Sequence, residues 1–161
     1  TCDELFLSLI LESCRRFEFQ AYYFQRFGPV SPAVSAEFEL LAAGPADEAL
    51  IRTHTGTYFD PLPERISQRQ LFLGKQAGTV VSFGVLEPGR VNPAYASIGM
   101  FVLPDQRQKG YGTNTLLALQ NHCQKVNLTP IAGCWYYNHN SKKTLEKAGM
   151  YSKTRLLKAF L

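Results

Sequence analysis

The spacing of hydrophobic positions changes period several times along the chain, and each change predicts an element. Leu5 to Leu11 is the longest apolar stretch, broken by Ser8, and Thr1-x-x-Glu4 in front of it has the form of a capping box. This predicts a helix to about Cys14, then a short strand over Phe17 to Tyr23. Gly28-Pro29-Val30-Ser31-Pro32 interrupts the pattern and is the best candidate linker. Phe38 to Leu41 reads as a strand, Pro45 opens a helix through Ala49, Leu50 and Ile51, and Gly56, Asp60, Pro61 and Pro63 predict a loop. A meander follows: Gln70 to Lys75, a turn at Gln76-Ala77-Gly78, Thr79 to Leu86 with its β-branched and aromatic Val80, Val81, Phe83 and Val85, a turn at Glu87-Pro88-Gly89, and Tyr95 to Leu103.

After Gly112 the period becomes helical. Leu116, Leu119, Cys123 and Val126 recur at intervals of 3, 4 and 3, one face of a helix. Pro130 to Tyr137 predicts a strand. A short helix runs from about Asn140 to Ala148, with Asn138 or Asn140 as its N-cap and Gly149 as its stop. Met150 to Leu161 returns to a strand. The order predicts an α+β fold: a mixed, mostly antiparallel central sheet flanked by helices. Residues 1–34 read as an N-terminal helix–strand extension or the remnant of an upstream unit, and residues 35–161 as one domain. A start at Thr1 reads as a processed chain or a fragment.

Composition narrows the class. With 161 residues, 45% hydrophobic and 19% charged, the chain has a globular profile, which excludes a disordered or fibrous protein. A net charge of +4 gives no reason to expect nucleic-acid binding and does not oppose an anionic ligand. No apolar run approaches the ~20 residues that span a bilayer, and no basic segment precedes Leu5 to Leu11, so neither a membrane span nor a signal peptide is expected. Cys2, Cys14, Cys123 and Cys134 contain no C-x-x-C pair. His122, Cys123, Cys134 and His139 fit no common zinc spacing, so no metal is expected. Free thiols in a reducing cytoplasm are the reading, although an even count also allows two disulfides.

The chemistry is concentrated in Arg107-Gln108-Lys109-Gly110-Tyr111-Gly112, between a strand and an amphipathic helix. Glycines let a ligand approach the backbone closely. The first N–H groups of a helix lack internal partners, and the helix dipole adds positive charge there. Such a turn cradles phosphate, with Arg107 and Lys109 adding mobile cations. A plain strand-to-helix turn is the alternative.

The strand Ala96-Ser97-Ile98-Gly99-Met100-Phe101-Val102-Leu103 leading into Arg107-x-x-Gly110-x-Gly112 resembles the acetyl-CoA motif of the GNAT (Gcn5-related) N-acetyltransferases. Asn138-x-x-Ser141 followed by Leu145-Glu146-Lys147-Ala148-Gly149-Met150 is similar to that family's later motif, and the gap holds one helix and one strand, as the family requires. The resemblance spans roughly residues 35–161. It implies that backbone groups of Met100, Phe101 and Val102 pair with the pantetheine arm of acetyl-CoA, and that amides of Gln108, Lys109, Gly110, Tyr111, Gly112 and Thr113 hold the pyrophosphate, beside Arg107. Asn138 and Ser141 would border the other side, with Lys142 and Lys143 as candidates for outer phosphates. The activity implied is direct attack of a primary amine on the thioester in a ternary complex, by a monomer or homodimer.

Two positions depart from the pattern. The family's frequent tyrosine of the last helix is Leu145 here, and its frequent strand glutamate falls near Ser97. Catalytic residues are therefore not assigned. Tyr136, Tyr137 and Cys134 lie nearby in sequence, each also readable as packing. The acceptor site is expected from the Pro45 to Arg65 segment and the Glu87 to Ala94 loop, with His54, Tyr58, Phe59, Asp60 and Glu64 as candidate contacts, although a core aromatic pair (Tyr58, Phe59) with a solvated loop is the favoured reading of each. The departures leave a non-catalytic acyl-CoA-binding or regulatory module of a longer protein open, and a nucleotide-binding domain of another type remains a third reading.

Overall fold

The structure is a computed structural model that describes residue 12, residues 14–26 and residues 34–160. The expected capping box and helix over Leu5 to Leu11, the linker at Gly28 to Pro32, and Cys2 lie outside the described residues.

Seven strands form one sheet: β1 (Arg16–Gln25), β2 (Phe38–Ala42), β3 (Leu71–Gln76), β4 (Thr79–Pro88), β5 (Tyr95–Val102), β6 (Thr129–Trp135) and β7 (Tyr151–Phe160). Their order is β2-β3-β4-β5-β6-β1-β7. Among the described residues only the β5–β6 pairing is parallel. The expected mixed, mostly antiparallel sheet is thus observed. β1 lies inside it, between β6 and β7, with Tyr22 opposite Cys134 on one side and Arg155 on the other.

Among the described residues four α-helices flank the sheet: α1 (Glu48–Thr55), α2 (Leu62–Ser67), α3 (Tyr111–Lys125) and α4 (His139–Lys147). Strand alternation sorts the core into two layers. Ala96 and Ile98 of β5, Ala132 and Cys134 of β6 and Phe24 of β1 pack under Leu116, Leu117, Leu119 and Cys123 of α3 and Leu145 of α4. On the opposite face, Leu71, Leu73 and Phe83 pack against Ile51, Leu62 and Ile66 of α1 and α2, with Phe59 and Leu103. Inside the first layer a buried hydroxyl pair, Ser82 and Thr115 at 2.7 Å, ties β4 to α3, and the Thr115 hydroxyl also reaches the Tyr111 carbonyl.

Several element boundaries differ from the sequence expectation. The loop expected over Pro61 and Pro63 contains α2, because Pro63 falls in the first turn, where a missing N–H costs nothing. Val126, expected on the buried helix face, is 48% exposed, since α3 ends at Lys125 and Val126 is its C-cap. Tyr136 and Tyr137 form a turn beyond β6, which ends at Trp135. Among the described residues no helix is long and apolar enough to cross a membrane.

Burial gives one pH-dependent prediction. Cys123 is fully buried, and burial pushes its thiol up from 9.0 to about 11. Between those values the unfolded chain has released this proton and the folded chain holds it, so the contribution to stability is complete below the window and lost as pH rises through it. Urea titrations on either side of the window should show this loss, and it should be smaller in Cys123→Ala.

Candidate functional site

β5 and β6 run side by side only at Tyr95–Thr129, Ala96–Pro130 and Ser97–Ile131. Beyond Ser97 they part, while β5 stays paired with β4 as far as Val102. Among the described residues, the β6-facing backbone edge of β5 therefore has no sheet partner from Gly99 onward. This opening leads into a cleft of about 590 Å³ between the parted strands, the start of α3 and the start of α4.

The cleft is anion-receptive for local reasons. The turn before α3 places Gln108 at φ 64° and Gly110 at φ 88°, both left-handed. Gly110 is the N-cap of α3 and offers no side-chain cap, and the first turn holds no acidic residue. The amides of Tyr111, Gly112 and Thr113 thus lack the usual capping acceptor and border the cleft. Gly112 is a close approach: a Cβ there would lie 3.1 Å from Thr144 Cγ2, 3.3 Å from Val102 Cγ2 and 3.4 Å from Met100 Sδ. Across the gap Asn138 caps α4, its side-chain oxygen accepting from the Ser141 N–H at 3.1 Å.

Of the residues expected at the coenzyme site, Met100, Phe101, Val102, Arg107, Gln108, Gly110, Tyr111, Gly112, Thr113, Asn138 and Ser141 all line this cleft. Lys109 does not: its ammonium turns to Gln106 Oε1 at 3.0 Å. Lys142 turns away too, its Nζ 4.7 Å from the Tyr22 ring centroid, whereas Lys143 and Lys147 line the cleft. Sequence reading overlooked Gln106, Asn140, Thr144 and Lys147. The last two lie 3 and 6 residues beyond Ser141, near one face of α4, so helical spacing was the available signal.

The proton-transfer candidates are dispersed. Cys134 points into the core, and burial raises its thiol above the ordinary value, an effect that Lys142 opposes and Glu146 reinforces. Tyr136 is stacked between Phe19 and Tyr22, at centroid distances of 4.6 and 4.9 Å. A hydrogen bond with the Tyr22 hydroxyl is the main cause that holds its phenol above the usual tyrosine value. Tyr137 is 76% exposed, and Leu145 is buried in the core. None of these four borders the cleft. His122 packs against Phe72, and among the described residues no group of three or more His, Cys, Asp or Glu could hold a metal. Cys14, Cys123 and Cys134 are free thiols.

The expected acceptor residues also separate. Phe59 is buried, Asp60 pairs with Arg52 at 3.0 Å, His54 lies against Phe83, and Glu64 sits in the first turn of α2. Tyr58 alone of this set borders the cleft, its ring 5.4 Å from that of Phe101.

Comparison with known proteins adds three facts. The family model described as the acetyltransferase (GNAT) family matches residues 43–150. No curated protein matches the chain. Solved structures share the fold. A GNAT-family acetyltransferase from Colwellia psychrerythraea has a TM-score of 0.85 at 19% identity, covering 99% of this chain and 62% of its own. A GCN5-related N-acetyltransferase from Sphaerobacter thermophilus has a TM-score of 0.70 at 13% identity, covering 95% and 55% respectively. A protein of Salmonella typhimurium whose structure holds its cofactor acetyl-CoA has a TM-score of 0.57 at 14% identity, covering 70% and 79%. The chain therefore spans less than two thirds of the length of the first two.

Proposed function

The chain belongs to the GNAT acetyltransferase family, and from that premise we propose that it transfers an acetyl group from acetyl-CoA to a primary amine by direct attack in a ternary complex. The carrying observation is the conjunction of uncapped α3 amides with a strand edge left open where β5 and β6 part. The amides of Tyr111, Gly112 and Thr113 would hold the pyrophosphate, with the helix dipole behind them. The free edge of β5 through Met100, Phe101 and Val102 would take the amide-bearing pantetheine arm as if it were an added strand. Lys143 and Lys147, with Arg107, supply positive charge for outer phosphates. Lys109 and Lys142 are not assigned this role.

In the reaction the amine releases a proton and its nitrogen attacks the thioester carbonyl carbon. An N–C bond forms, the C–S bond breaks, and the departing thiolate takes up a proton. Backbone N–H groups in the parted strand are suited to the oxyanion, and alignment of the two reactants supplies much of the rate. Leu145 cannot serve as the acid, and Tyr136 is engaged with Tyr22 away from the cleft, so the departing thiolate would take its proton from water or from Tyr58 or Tyr111, the tyrosines that line the cleft.

Calorimetry with CoA is the test. Saturable binding with one site is expected, and no binding at millimolar CoA would reject the reading. Leu145 and Ser97 favour a second reading, a module that binds acyl-CoA without turnover. Thiol release from acetyl-CoA across a panel of amines separates the two.

A further inference from the structure

The parting of β5 and β6 is symmetrical on the face opposite α3. Ser97 and Ile131 are the last paired residues, and both point to that face, since Ala96, Ile98 and Ala132 point into the α3 layer. Two residues further along each strand stand Gly99 and Gly133. Four further along stand Phe101 and Trp135. The strands thus diverge with glycines at the fork and a large aromatic on each arm. Gly133 is exposed, and a Cβ there would have only ordinary contacts, to the Tyr22 carbonyl at 3.8 Å and the Tyr23 ring at 3.9 Å, whereas a Cβ at Gly99 would lie 3.0 Å from Val85 Cγ1, so the open floor is on the β6 arm.

The arms are reinforced by further rings. Tyr58 packs on Phe101, and Tyr23 stands beside Gly133 on the Trp135 side. Trp135 is 70% exposed, Tyr58 63% and Tyr23 48%. α1 and α2 pack over β3 and β4, and among the described residues no helix covers β6 and β1 on this face. At the closed end of the fork, Glu87 lies opposite Ser97 on β4, and its carboxylate is fixed by Arg65 of α2. One carboxylate is therefore level with the last paired residues, one strand removed from the fork on β4, and apolar rings stand on both sides where the strands open.

We infer that this fork is the acceptor site and that its substrate is a monoamine carried on an aromatic or flat apolar body. The inference rests on the acetyl-transfer reading and goes beyond it by naming the acceptor class. The ammonium end is complementary to Glu87. The body lies over Gly99 and Gly133, between Phe101 with Tyr58 and Trp135 with Tyr23, where ring stacking recognises it. A polyamine is disfavoured: its further charges would meet apolar walls, and Arg65 already neutralises Glu87 in part. Proton release from the bound ammonium, attack on the acetyl carbon and departure of the thiol keep the balance given above.

Trp135 is the only tryptophan of the chain, so its fluorescence reports the site directly. Phenethylamine and spermidine are the probes, each titrated into the full chain saturated with CoA, alongside turnover with acetyl-CoA. Phenethylamine should change Trp135 emission saturably and be acetylated, with kcat/KM at least about tenfold above that of spermidine. Trp135→Ala should raise the phenethylamine KM about tenfold with kcat and CoA affinity little changed, and Trp135→Phe should restore most of it. CoA binding with no emission response to phenethylamine, a preference for spermidine, or an unchanged KM in Trp135→Ala overturns the inference and leaves acetyl transfer standing. Blue-shifted emission insensitive to both amines shows the face covered by another segment and overturns it too. Absence of CoA binding removes the acetyl-transfer reading and this inference with it.

Discussion

Gly112→Val is expected to weaken CoA binding about a hundredfold while the chain stays folded. Gly112 is in the first turn of α3 and borders the cleft. The space its missing Cβ leaves is bounded by Thr144 Cγ2, Val102 Cγ2 and Met100 Sδ, at 3.1, 3.3 and 3.4 Å from an ideal Cβ. All three belong to residues of the cleft wall. A valine forces these tips outward and adds its own methyls, so the wall closes over the amides that would receive the pyrophosphate. The stability cost is that of modest overpacking, about 1–3 kcal/mol, partly offset because valine is a better helix residue than glycine. Gly112→Ala, with one methyl, should fall between. Calorimetry measures the affinity and thermal melts the fold. Unchanged affinity in a folded Gly112→Val chain would contradict the placement of phosphate at α3.

The glycine turn before α3 could be read in the sequence because its determinants are local. The glycines, the strand before them and the apolar period after them lie within about 30 residues. Asn138 as a cap is equally local: it needs only Ser141 three residues on. The misjudged elements were governed by position or by distance. Pro63 breaks a strand or a helix interior, but at a first turn it is tolerated, and α2 went unseen. Val126 matched the helical period one residue after the helix had ended. The orientation of Lys109 and Lys142 could not be read from charge, because each satisfied itself on a neighbour, Gln106 and the Tyr22 ring. The fork of Phe101 and Trp135 becomes visible only once β5 and β6 are known to pair in parallel through Ser97 and Ile131, 34 residues apart in sequence. The alternation that sends Ser97, Gly99 and Phe101 to one face was present in the sequence. Nothing local said which face lay open.

Arg26→Ala is expected to destabilise the chain by about 2–3 kcal/mol. Arg26 follows β1, and its Nη1 donates to Gln120 Oε1 at 2.8 Å and to the Ala148 carbonyl at 2.9 Å. Gln120 is fully buried in α3, and its own Nε2 donates to the same carbonyl at 3.0 Å. The guanidinium thus joins the end of β1 to the middle of α3 and the end of α4, partners 94 and 122 residues away. Alanine leaves Gln120 Oε1 buried without this donor, and an unmade buried hydrogen bond costs more than a made one contributes. The argument has a second arm. Gln120→Met in the Arg26→Ala background removes the stranded polar group, and the double variant should recover part of the loss. Urea midpoints with unchanged m values measure both. If Arg26→Ala costs nothing, or the double variant is less stable than additivity allows, the desolvated network is not what anchors β1. If both results hold, a segment that the break at Gly28 to Pro32 assigns to an extension is fastened to the same two helices whose first turns border the cleft.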